Sequence, residues 1–146
     1  MNSNPINCVN ENGDAVNFEP LRPFLKSIEP AFLKHATEIT FWAIIPKSPT
    51  EQPKPFAHYE INGLKYELEI DKDFHPFVTS SRIRLLVGVS IAITEGTRKG
   101  KFRLRFKGQL IDVKVRIVLH DNCETLILNP DWRLFKSKEG NKSQVG

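Results

Sequence analysis

Two runs in the second half of the chain alternate strictly between apolar and polar residues. Phe102, Leu104 and Phe106 alternate with Arg103, Arg105 and Lys107. Ile111, Val113, Val115 and Ile117 alternate with Asp112, Lys114 and Arg116. Successive side chains of a strand point to opposite faces, so each run has one apolar and one charged side. Gly108 lies between them, where the chain must turn. The pattern predicts a hairpin that buries one face and leaves the other in water. A second hairpin is predicted upstream, where residues 56–61 and 64–70 flank Asn62-Gly63, a pair that tolerates positive φ. Residues 38–45 are rich in β-branched and aromatic side chains and read as a further strand. Residues 125–128 read as the last one, ended by Asn129-Pro130.

Something apolar must cover the buried side of these strands. Leu21, Phe24, Leu25, Ile28, Phe32 and Leu33 form a helical stripe. Pro30 interrupts it, because proline lacks an N–H and clashes with the preceding turn. Two short helices are therefore expected, the second opened by Glu29-Pro30. Another helix is expected from a cap at Thr79 or Ser80 to about residue 89, with Ile83, Leu85, Leu86, Val87 and Val89 as its apolar positions. Residues 91–93 read as a short strand or turn, and residues 95–100 as a polar loop leading into a basic turn at Lys99-Gly100-Lys101. The proline-rich residues 46–55 read as a loop, and residues 71–76 as a polar link. Residues 1–18 read as a flexible segment with at most a short strand at 15–18, residues 19–135 as a single domain, and residues 136–146 as a disordered tail. The expected fold class is α+β: a mostly antiparallel sheet of five to seven strands with two or three helices on one face.

A chain of 146 residues can bury one core. No apolar run approaches the roughly 20 residues that span a bilayer. Residues 1–7 show neither the basic nor the apolar part of a signal peptide, so a cytoplasmic location is expected. Cys8 and Cys123 are far apart in sequence and read as free thiols, Cys8 in a mobile tail. Neither they nor His35, His58, His75 and His120 have metal-ligand spacing, so no metal and no cofactor is expected. Asp71, Asp73 and His75 can be read as a divalent-ion loop or as a polar connection, and the second reading is preferred. No triad or carboxylate pair supports catalysis, so the chain is not expected to be an enzyme.

The formal charge is +4. Arg98, Lys99, Lys101, Arg103, Arg105, Lys114 and Arg116 gather on the hairpin as candidates for an acidic partner. The competing reading is a solvated strand face that stays soluble through its charges. A small basic nucleic-acid binder is a weaker alternative, because Phe102, Leu104 and Phe106 fall opposite the arginines rather than among them. Trp132, beside Arg133, is expected to pack on the domain's own sheet rather than on a partner.

The order of these motifs resembles the N-terminal, motor-adjacent domain of the type II secretion and type IV pilus assembly ATPases. Residues 35–41 stand where that family has a pattern close to A-S-D-I-H-F-E. Residues 60–64 stand where it has R-I-D-G-x-L. Residues 81–102 match a pattern near S-R-I-K-x-L-A-G-L-D-I-A-E-x-x-x-P-Q-D-G-R-F without a gap, and the match continues through Ile111-Asp112 to Glu124. About two thirds of the chain is covered, residues 30–128. The resemblance implies a PAS-like sheet with flanking helices and a cytoplasmic, bacterial role beside a secretion or pilus motor. Family arginines that reach towards the motor's nucleotide correspond here to Glu60, Lys101 and Lys114. A glutamate repels a polyphosphate, and lysine lacks arginine's bidentate fork. No G-x-x-x-x-G-K-[ST] loop is present to cradle a triphosphate. The expectation is a stand-alone, non-catalytic relative, lacking the motor, that acts by protein–protein contact with a secretion or pilus ATPase, its membrane platform or a second copy of itself. The rival expectation is a nucleotide- or signal-binding PAS-like sensor.

Overall fold

The computed structural model describes residues 6–10, 12, 21–44, 54–90, 95–120 and 123–136, without the side chains of Ala43, Ile44, Lys54 and Phe77. Seven strands and two helices follow in the order β1 (Ile6–Val9), α1 (Arg22–Leu33), β2 (Glu38–Ile44), β3 (Lys54–Ile61), β4 (Leu64–Glu67), α2 (Pro76–Val87), β5 (Gly96–Phe106), β6 (Gln109–His120) and β7 (Cys123–Pro130). The strands form one sheet in the order β1-β5-β6-β7-β2-β3-β4. Every neighbouring pair is antiparallel. The fold class is α+β, dominated by its sheet.

The alternating runs form the second and third strands of that sheet, β5 and β6. Leu104 falls opposite Ile111 and Phe102 opposite Val113, all on one face and all buried. Lys107-Gly108 closes the hairpin with φ of 51° and 78°. Both values are positive, as a two-residue turn matching the strand twist requires. Asn62-Gly63 does the same between β3 and β4, with φ of 52° and 81°.

Both helices cover the apolar face. Phe24 of α1 meets Phe41 of β2 at 5.5 Å between ring centroids, and Phe32 meets Phe106 of β5 edge-on at 5.6 Å. Under α2, Ile83 is fully buried, and Arg84 reaches Glu124 of β7 at 3.5 Å. Ser80 donates a hydrogen bond to the same carboxylate. Burying such a pair is costly unless it is satisfied, so this contact fixes where α2 sits more than it adds net stability.

Several expectations are corrected. Residues 22–33 form one helix with Pro30 inside it, not two. Pro30 is exposed, so the carbonyl it leaves unbonded faces water, while the buried stripe of Phe24, Ile28, Ala31 and Phe32 stays continuous. Helix α2 begins at Pro76, capped by His75, whose Nδ1 accepts from the Val78 N–H at 3.4 Å. The expected caps Thr79 and Ser80 therefore lie within the helix. The basic turn at residues 99–101 is strand: β5 starts at Gly96, because β6 offers a partner along its whole length. Gly100 is where β5 passes under α2, and a Cβ there would lie 2.4 Å from Val87 Cβ. Residues 6–9, expected to be flexible, form edge strand β1 against β5, with Ile6 and Cys8 completing the buried face. Burial pushes the Cys8 thiol up to about 12. The strand suggested at 15–18, the turn at 91–93 and the tail from residue 137 lie outside the described residues. Among the described residues no helix is long and apolar enough to cross a membrane.

Gly100→Ala should destabilise the fold by about 1–3 kcal/mol, the usual cost of overpacking. In a Val87→Gly background, which removes that Cβ, most of that extra cost should disappear. Urea denaturation of the two single variants and the double variant measures both effects.

Candidate functional site

With both helices on one side, the other face of the sheet carries the charged halves of the strands. Opposite residues of an antiparallel pair share a face. The β5–β6 register therefore sets Lys99 opposite Arg116, Lys101 opposite Lys114, Arg103 opposite Asp112 and Arg105 opposite Leu110, all on the uncovered side. Continuing across the sheet, the Lys101–Lys114 row runs through Asn129 of β7, Glu38 of β2 and Glu60 of β3 to Lys65 of β4. The three positions singled out by resemblance thus share one face and one row. Lys101 and Lys114 are direct neighbours. Glu60 is three strand spacings from Lys114, roughly 14 Å, and stands opposite Glu38.

These cations are not equivalent. Arg103 Nε donates to Asp112 Oδ1 at 2.8 Å, and Arg116 Nη2 lies 3.7 Å from Glu38 Oε2, both pairs partly exposed. Such surface pairs contribute about 0–1 kcal/mol each. Arg105 is half-buried beside β1, opposite Asn7. Arg98 falls opposite Ile117 on the helix side, and its Nη1 donates to the Thr97 carbonyl at 3.1 Å. It does not join the patch. Lys99, Lys101 and Lys114 are exposed. Two consecutive cross-strand pairs, Lys99–Arg116 and Lys101–Lys114, therefore set like charge against like charge, an arrangement that destabilises a sheet. Asp131, which feels the charge of Lys114, is held by Arg133 through bonds of 2.9 and 2.7 Å to its side chain. Those bonds from Arg133, chiefly, hold its carboxyl at about 2.

Aromatic rings lie on the same face, on β2 and β3. Trp42 stacks on Phe56 at 5.5 Å and meets His58 edge-on at 4.6 Å. Phe56 is half exposed, while Trp42 and His58 are half-buried. Val118, Thr125 and Ile127 fill the surface between these rings and the lysines. The sequence reading judged aromatic interleaving by Phe102, Leu104 and Phe106, which do face the helices. It missed Trp42, Phe56 and His58, because their side depends on the β2–β3 register. The usable signal was the alternation in β2 itself: Ile39 and Phe41 face inward, so Glu38, Thr40 and Trp42 face outward.

The remaining candidates serve the fold. Trp132 Nε1 donates to the Ala36 carbonyl at 2.7 Å. Its ring stacks on His35 at 4.4 Å and meets Phe32 at 5.3 Å. It packs on its own domain, on the helix side. In the 71–75 segment, Asp71 Oδ2 accepts from the Asp73 N–H at 3.0 Å, the Asp71 N–H donates to Ser27 Oγ at 2.8 Å, and His75 caps α2. The Asp71 carboxylate and the His75 ring thus each have a local structural task. Cys123 is half-buried at the start of β7.

Two histidines are held below their ordinary range. Burial does most of this for His35, with Lys107 adding to it, and burial and then Lys65 do so for His58, against Glu38 and Glu60. In both cases the folded chain resists protonation that the unfolded chain accepts near 6.5. Their contribution to stability is therefore fully present above pH 6.5. It is lost as the pH falls through that value towards the depressed folded values. Urea midpoints measured over this window should fall with pH, and His35→Gln/His58→Gln should flatten that slope.

No family model matches the chain, and no curated protein matches it.

Proposed function

We propose that this chain is a non-catalytic relative of the PAS-like N-terminal domain of the secretion and pilus ATPases, and that it works in the bacterial cytoplasm as a protein–protein interaction or regulatory module. Its partner is a secretion or pilus ATPase with an acidic surface, which docks on the uncovered face of β5 and β6. One observation carries this reading: the exposed like-charge pairs Lys99–Arg116 and Lys101–Lys114, side by side where β5 runs on beyond its pairing with β1. Such pairs lower the stability of the isolated domain, and a bound acidic surface would relieve the repulsion. The absence of a phosphate-cradling loop in the sequence and the wide separation of Glu60 from the two lysines support an interaction role over nucleotide chemistry.

A second reading draws on the rings. Trp42, Phe56 and His58 lie on the same face as the lysines, as stacking platforms and cationic grooves do in proteins that hold single-stranded nucleic acid. Glu38 and Glu60, on the Lys101–Lys114 row, and Glu67, on the Lys99–Arg116 row, weigh against it, since they repel a phosphate backbone.

The test replaces one lysine. Lys101→Glu turns a repulsive pair with Lys114 into an attractive one, so the fold should keep its stability or gain about 0.2–1 kcal/mol. Binding to a purified secretion or pilus ATPase of the same cell should nevertheless weaken, with association slowed roughly tenfold at low salt and the effect shrinking as salt is added. Surface plasmon resonance at two ionic strengths reads both. An unchanged association rate, or tighter retention of single-stranded nucleic acid than of the ATPase, would remove the proposed reading.

A further inference from the structure

The sheet has two edges of different character. At one, β1 buries Ile6, Cys8 and Val9. At the other, all four residues of β4 are exposed, including the large apolar side chains of Leu64 (62%) and Tyr66 (42%). Among the described residues β4 pairs only with β3. An edge strand with unpaired main-chain groups and exposed apolar side chains is a template for another strand.

The ladder fixes which groups that edge offers. The Leu68 N–H donates to the Ala57 carbonyl at 3.0 Å, and Leu68 continues the β3–β4 register opposite Ala57. Hydrogen-bonded and non-hydrogen-bonded pairs alternate along an antiparallel ladder. Leu64 and Tyr66 therefore turn their main-chain groups towards β3, while Lys65 and Glu67 turn theirs outward.

We infer that the β4 edge pairs with β4 of a second copy of this chain, antiparallel across a two-fold axis at Tyr66. Opposite residues must share a face, so three registers centred within the outward-facing stretch are open. An axis at Lys65 sets Lys65 against Lys65 of the second copy, and an axis at Glu67 sets Glu67 against its own copy. Both place like charges directly opposite each other. An axis at Tyr66 sets Lys65 opposite Glu67 of the second copy, twice. It also forms four main-chain bonds between the outward N–H and C=O groups of Lys65 and Glu67. The two Tyr66 rings then meet at a non-hydrogen-bonded position, where side chains approach most closely, and Leu64 faces Leu68. The two seven-stranded sheets become one continuous sheet with both cationic faces on the same side. This pairing is independent of what binds those faces.

Sedimentation equilibrium over a concentration series tests the inference with the full chain. The unmodified protein should show a concentration-dependent monomer–dimer equilibrium. Lys65→Glu alone and Glu67→Lys alone should each weaken it roughly tenfold, because each turns two attractive pairs into two repulsive ones. An equimolar mixture of the two variants should recover the dimer, since both cross-copy pairs of the mixed dimer again join a glutamate to a lysine. Circular-dichroism melting confirms that each variant is folded. If either variant fails to fold, Lys65→Pro replaces it, because its missing N–H weakens the outward edge without removing a bond to β3. A monomer at every concentration would overturn the inference. So would a dimer indifferent to the substitutions, or charge reversals whose mixture does not recover.

Discussion

The structure depends on the one-sided burial of the β5–β6 ladder. Phe102, Leu104, Phe106, Ile111, Val113, Val115 and Ile117 form an apolar floor on which both helices rest. The same backbone alternation forces Arg103, Lys101, Lys99, Lys114 and Arg116 onto the opposite face. Burying apolar side chains at about 1.5–3 kcal/mol each is what the floor contributes, and the cationic face is its geometric consequence. No substitution can move one set without moving the other, because a one-residue slip would exchange the two faces. The site is therefore as firmly fixed as the core.

That coupling explains what was legible in the sequence. The alternating runs at 102–106 and 111–117, the Asn62-Gly63 turn and the sidedness of the lysines all follow from local periodicity. What could not be read depends on contacts distant in sequence. Pro30 stays inside α1 because its missing N–H falls on the exposed side, which only the position of the sheet decides. Residues 96–101 are strand because β6 extends far enough to pair with them. Residues 6–9 become a strand because β5 offers them an edge. The aromatic cluster of Trp42, Phe56 and His58 was missed for the same reason, since it needs the register of β2 against β3. Arg98 was counted with the patch, but its parity in β5 puts it on the helix side.

The uncovered face is electrostatically uneven. On β5 and β6 the lysines face one another, while Glu38, Glu60 and Glu67 continue the same rows on β2, β3 and β4. A partner that fits this face must be acidic over the first two strands and tolerate acid further along, with the apolar surface of Val118, Ile127 and Phe56 between. A folded protein surface can meet that pattern, whereas a uniformly charged phosphate backbone meets it poorly. Arg103 and Arg116 already have carboxylate neighbours, so they shape the patch more than they drive association. In the proposed docking, the exposed lysines would carry most of the attraction.

Lysine footprinting tests the account most directly. The chain is treated with an amine-acetylating reagent alone and in complex with a purified secretion or pilus ATPase, and each lysine's reactivity is read by mass spectrometry. Lys99, Lys101 and Lys114 should lose reactivity in the complex, while Lys26 on α1 and Lys72 before α2 remain as reactive as in the free chain. Equal reactivity at all five, or protection confined to Lys26 and Lys72, would contradict the assignment of the uncovered β5–β6 face as the docking surface.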